Sequence, residues 1–169
     1  MLLRVINDQF TWLQRPEDFS WLKAGEIQAD PLSDLRTKEN ELSLYEYSEE
    51  IDLQRIIAAF AAKRKDLDKV DYISFNPDLL KQAGIKTTRD SNGETADEKV
   101  NKWHIALFEL SSQKIVALAS LLLRDGMSDR KFPKDVGALI IQSVKSGWIS
   151  KDKLGKNIPA GLKKFGLTY

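Results

Sequence analysis

The chain has 169 residues, 42% of them hydrophobic, with four Trp and seven Phe. That suffices for one domain with a substantial core and excludes a disordered tail. Twenty-six basic residues against twenty-five acidic ones give a formal charge of +1, so no global charge marks a nucleic-acid or membrane-surface binder. Cysteine is absent and histidine occurs once, which excludes disulfides, thiolate nucleophiles and the several N or S ligands of a structural zinc.

Met1-Leu2-Leu3-Arg4 meets Asn7 and Asp8 before an apolar run of signal-peptide length develops. The most apolar stretch, Ile115 to Leu123, is too short to span a bilayer. The expectation is a soluble, cytoplasmic protein with no membrane partner.

Leu2 to Ile6 and Phe10 to Leu13 are short apolar segments separated by Asn7-Asp8, a pattern of strand and turn. Pro16, with Glu17 and Asp18 behind it and Gly25 after Ala24, predicts a short helix carrying Phe19, Trp21 and Leu22. Residues 26–40 are irregular and polar, with Asp30-Pro31 as a turn. Residues 41–47 alternate with period two, Leu42, Leu44 and Glu46 on one side and Ser43, Tyr45 and Tyr47 on the other, as in a strand.

Ser48 as cap, acidic residues in the first turn, the stripe Leu53, Ile56, Ile57, Phe60 and Ala61, and the closing Lys63-Arg64-Lys65 predict an amphipathic helix. Val70 to Phe75 reads as a β-rich strand. Asn76 as cap, Pro77 as first residue and Gly84 as stop then define a short helix. Residues 86–94 read as a loop. Thr95 and Glu98 form a capping-box pair, predicting a helix to about Leu110. Further helices are expected from Gln113 to Arg124 and from Pro133 to Ser146, with short helical pieces around Lys151 and Pro159.

These elements predict an α/β fold, with α+β as the alternative. A small mixed sheet with short helices forms the N-terminal half, packed on a mainly helical C-terminal half. A single domain over 1–169 is expected; the loop at 86–94 is the boundary at which parts 1–85 and 95–169 would divide.

His104 is the one side chain suited to general-base or substrate-orienting work. Set on the expected helix at about 100° per residue, it falls at the margin of the apolar arc of Val100, Trp103, Leu107 and Leu110, with Asn101 towards the polar side. The bland explanation is a partly buried histidine bonded to a backbone carbonyl, and imidazole alone does not make a site. Tyr45 and Tyr47 would suit base or sugar stacking, but no RNA-recognition motif frames them. Asp90-Ser91-Asn92-Gly93 resembles part of a calcium loop and lacks the remaining ligands, so Asn92-Gly93 reads as a turn. Gly-rich phosphate loops and Gly-x-Ser-x-Gly elbows do not occur, and no cofactor or metal is implied.

Charge is unevenly placed. Residues 30–52 hold eight acidic side chains against Arg36 and Lys38, whereas residues 141–169 hold six lysines and only Asp152. The expected role is therefore a non-catalytic interaction or accessory subunit that holds a protein partner or a second copy. Lys151, Lys153, Lys156, Lys163, Lys164 and Trp148 are its candidate contact residues. One alternative is a small enzyme or nucleotide-binding protein with a cleft near His104, using Arg4 with Ser43, Tyr45 or Arg89. The other is a nucleic-acid-binding module acting through the lysine-rich end.

Overall fold

The computed structural model describes residues 1–90 and 93–168. In chain order the strands are β1 (Leu2–Ile6), β2 (Leu42–Glu46), β3 (Val70–Phe75), β4 (Lys86–Thr88), β5 (His104–Phe108) and β6 (Met127–Lys131). The helices are α1 (Gln9–Leu13), α2 (Asp30–Asp34), α3 (Glu50–Ala62), α4 (Asp78–Gln82), α5 (Glu98–Asn101), α6 (Ser112–Asp125), α7 (Pro133–Lys145) and α8 (Ile158–Lys164), with single 3₁₀ turns at Pro16–Asp18 and Lys151–Lys153. The class is mixed α/β, as the pattern predicts. Among the described residues no helix is long and apolar enough to cross a membrane.

The chain divides into two compact units, each assembled from three stretches. The first comprises Met1–Glu46, Asp71–Arg89 and Ile105–Asp129. Its frame is a six-stranded sheet in the order β4-β5-β2-β1-β3-β6. β1 runs antiparallel to both neighbours, with Leu3 opposite Tyr45 on one side and Ser74 on the other. β4 is antiparallel to β5, with Thr87 opposite Leu107. Leu2, Leu44, Ile73, Phe75 and Leu107 from the strands close on Leu118 and Leu122 of α6 and Trp12 of α1, all buried. α6 also packs against α1, α2 and α4.

Two buried aspartates hold the short helices of this unit. Asp34, at the end of α2, accepts from the Asn7 amide (2.7 Å) and the Trp12 indole N–H (2.9 Å). Asp71 accepts from the Gln9 amide (3.1 Å), an otherwise unsatisfied donor at the start of α1.

The second unit comprises Tyr47–Val70, Asp90–His104 and Arg130–Tyr169. α3 and α7 pack along each other, α5 packs on α3, and α8 on α7. Of the apolar stripe read from the sequence of α3, Leu53, Ile56, Ile57 and Ala61 are all under 7% exposed and Phe60 is half-buried. Gly137 of α7 admits Leu162 and Leu167 against the helix backbone. Gly155 donates its amide to Ala62 O (2.7 Å), close enough that a Cβ there would lie 1.7 Å from Arg64 O.

Several elements differ from the pattern. Residues 10–13 are helical rather than extended, because Asp8 accepts from the Phe10 amide and Asp71 from that of Gln9. The expected helix over 16–24 is one 3₁₀ turn ending at Asp18. Trp21 beyond it is 67% exposed, and a helix this short needs buried apolar contact to persist. Asp30-Pro31 opens α2 instead of making a turn, with Pro31 in the first helical turn. The cap of α3 is Glu49, paired with Asp52, rather than Ser48.

The helix expected over 95–110 is the largest correction. α5 ends at Asn101, and residues 104–108 are strand β5. The cap is Asp97, whose side chain accepts from Lys99 and Val100, rather than Thr95. Pairing in the sheet then overrides a helical pattern that His104–Phe108 carries only weakly. Part of the expected loop at 86–94 is β4, and β6 lies where no strand was expected. Both are the outer strands of the sheet, and polar edge strands lack the apolar alternation that marks a strand in sequence. The turn expected at Asn92-Gly93 falls on Asn92, outside the described residues.

Gly155→Ala should lower the unfolding free energy by about 3 kcal/mol or more, since the new methyl meets backbone rather than a yielding side chain. Gly147→Ala, with open space around it but φ at +69°, should lose only about 1 kcal/mol. Urea denaturation of both variants checks the contrast.

Candidate binding surface around Arg55 and Trp148

In the second unit, Asp97 has two tasks. Its carboxylate caps α5, accepting from the Lys99 amide (2.8 Å) and the Val100 amide (3.4 Å). It also receives Arg55 of α3 in a two-pronged ion pair, Nε to Oδ2 and Nη2 to Oδ1, the second at 3.0 Å. The side chains of Arg55 and Asp97 are 12% and 2% exposed, so this pair is shielded from solvent screening. Thr95 and Asn101 brace the turn around it: Asn101 Oδ1 accepts from the Thr95 amide (2.7 Å) and hydroxyl (2.8 Å).

With its fork filled by Asp97, the Arg55 guanidinium lies 4.4 Å from the centre of the Trp148 ring and 5.8 Å from that of Trp103. Lys99 Nζ lies 5.4 Å from Trp103. These are cation–π distances, and they fix both half-buried indoles. A pocket of about 300 Å³ opens here, lined by Arg55, Asp97, Glu98, Lys99, Trp148 and Lys153 among others.

The structure thus brings two of the candidate contact residues, Trp148 and Lys153, to one pocket. Lys153 also meets Glu98 at 3.2 Å, an exposed pair of little energetic weight. Lys151 shares the 3₁₀ turn with Lys153; Lys163 and Lys164 close α8; Lys156 lies between these elements, and all five are exposed. Arg55, Asp97 and Trp103 were not contact candidates on sequence. Arg55 reads there as one ordinary helical charge, and its aromatic partners are remote in the chain.

His104 opens β5 and is buried, 5% exposed. Its Nδ1 lies 2.5 Å from Asp90 Oδ1, and since a carboxylate oxygen accepts, the imidazole N–H donates. Neither the pocket beside Trp148 nor the groove of the first unit is lined by it. Tyr45 is buried, Tyr47 half-buried, and Arg89 pairs with Glu46. Arg4 does meet Ser43, by donating from Nη1 to its backbone oxygen (2.9 Å). Among the described residues no group of three or more His, Asp or Glu side chains is placed to hold a metal ion.

Comparison with protein families, with functionally described proteins and with solved structures found no match.

Asp97→Ala should lower stability by roughly 3–5 kcal/mol, because it strands a buried guanidinium. Asp97→Asn, which can still cap α5, should lose less, and chemical denaturation separates the two. His104→Gln should lose about 1–3 kcal/mol, the scale of a buried hydrogen bond deprived of one partner, readable as a lower urea midpoint.

Proposed function

We propose that this chain is a non-catalytic interaction module of an intracellular complex, which takes an acidic protein segment on the basic surface of its second unit. The division of charge between the units carries this reading. The second unit holds 16 basic against 11 acidic residues and the first 10 against 14, so a nearly neutral chain contains parts of about equal and opposite charge.

The acidic surface is thinner than the sequence suggests. Asp34 is buried and bonded, Asp52 serves the cap of α3, and Glu46 pairs with Arg89. The lysines at 151, 153, 156, 163 and 164 are exposed. Beside Lys153, Trp148 offers a rigid aromatic surface of the kind enriched at protein interfaces. A protein partner is favoured over nucleic acid because Arg55 covers a ring face of Trp148 and Asp97 fills the Arg55 fork. Stacking and bidentate phosphate binding would need those groups open.

Titration with poly-glutamate and with a short single-stranded oligonucleotide tests this. The wild-type protein should bind poly-glutamate, and conversion of all five lysines to glutamine should weaken that binding by roughly tenfold or more. Equal binding by wild type and variant, or tighter binding of the oligonucleotide with a steep salt dependence, would overturn the reading.

A further inference from the structure

The first unit contains a larger concavity that the proposed interaction does not use. A groove of about 1090 Å³ lies among the inner end of β1, the chain from α2 to residue 40, and the first turn of α6. We propose that this groove binds a small phosphorylated molecule of nucleoside-monophosphate size, with Arg36 and Arg4 as its cationic end.

Arg4 is half-buried and held rigidly. It donates from Nε (3.2 Å) and Nη2 (3.1 Å) to Asp34 O and from Nη1 (2.9 Å) to Ser43 O. Both acceptors are neutral carbonyls, and among the described residues Arg4 has no ion-pair partner within 4.0 Å. Burial lowers its pKa from the ordinary arginine value, with Asp34 and Tyr45 opposing the shift. Asp34 is the one carboxylate lining the groove, and both of its oxygens are taken, by the Asn7 amide and the Trp12 indole. A desolvated cation thus stands at the groove without a carboxylate bound to it.

Arg36 adds a second charge. It is exposed and, among the described residues, makes no hydrogen bond or ion pair. The side chains of Thr37, Asn40 and Ser112 line the same groove and are equally unpartnered there. The open guanidinium of Arg36, two hydroxyls and an amide supply the donors, and an arginine fork matches phosphate oxygens; Arg4, whose three nitrogens already donate to carbonyls, adds its positive charge. α6 begins at the same place and carries no acidic residue in its first turn, so its positive end adds to this field. Beside Asn7, Ser33 and Ser111, the lining also includes Leu110, Ile115 and the partly exposed Val116, which offer an apolar surface for a flat or hydrophobic body.

The test is titration of the ¹⁵N-labelled full chain with AMP, adenosine and inorganic phosphate, followed by amide chemical shifts. AMP should produce saturable shifts confined to residues 4–7, 32–40 and 110–116, and should bind more tightly than adenosine or phosphate alone. Arg36→Ala, at an exposed position where folding is not at stake, should weaken AMP by about tenfold or more. Val116→Asp should do the same by placing a carboxylate on the wall. The five-lysine variant of the other unit should bind AMP as wild type does, which separates this site from the interaction surface. Absent or unsaturable shifts, shifts centred elsewhere, or an unchanged affinity in Arg36→Ala would overturn the proposal. Phosphate binding as tightly as AMP would overturn the role of the apolar wall.

Discussion

A charge withdrawn from water has to be met by dipoles or by an opposite charge, and the first unit is organised around that requirement at Arg4 and Asp34. The guanidinium of Arg4 is satisfied by the carbonyls of Asp34 and Ser43, and the carboxylate of Asp34 by an amide at the end of β1 and the indole of α1. Because each group answers a different element, β1, β2, α1 and α2 are tied to one another through a few directed bonds. The short helices α1 and α2, five residues each, are too brief to persist on backbone hydrogen bonds alone. These bonds and the burial of Trp12 stabilise them.

The same requirement recurs in the second unit with a different solution. Arg55 is met by a full counter-charge, and Asp97 meets both that charge and the free amides of α5. The difference has chemical consequences. Arg55 is neutralised by Asp97 along its Nε–Nη2 edge, so it acts as a fixed plate that orients Trp103 and Trp148, and that edge is closed to a ligand. Arg4 is bound only to neutral acceptors and keeps its positive field. One arginine therefore builds a surface, while the other supports a groove that favours anions. His104 follows the pattern of Arg55: buried and held by Asp90, it belongs with the groups whose bonding is internal.

Exposed charge distinguishes the two units further. Of the acidic run at 30–52, Asp34 and Glu46 of the first unit are engaged and Glu49, Glu50 and Asp52 belong to the second, whereas the lysines of the C-terminal stretch remain in water. A count of charges along the chain overstates the first surface and describes the second well. Lysine stems are long and their heads strongly hydrated, so lysines stay outside; short aspartates near helix ends are drawn into caps.

The sequence by itself determined the elements whose cues are local. α3, α4, α6, α7 and β3 follow from apolar stripes, stop glycines and β-branched runs, because backbone and neighbouring side chains decide them within a few residues, although the caps of α3 and α4 are Glu49 and Pro77 rather than Ser48 and Asn76. It also determined the mixed α/β class and the exposed lysines. Only the tertiary structure decided β4, β5 and β6, whose strand character comes from a partner to pair with rather than from their own pattern. It alone decided that His104 lies on a strand beside Asp90, that Arg55 stands between two tryptophans, and that Arg4 and Arg36 share a groove. Each of these depends on segments far apart in the chain, and local propensity carries no information about which distant charge or ring will meet a given side chain.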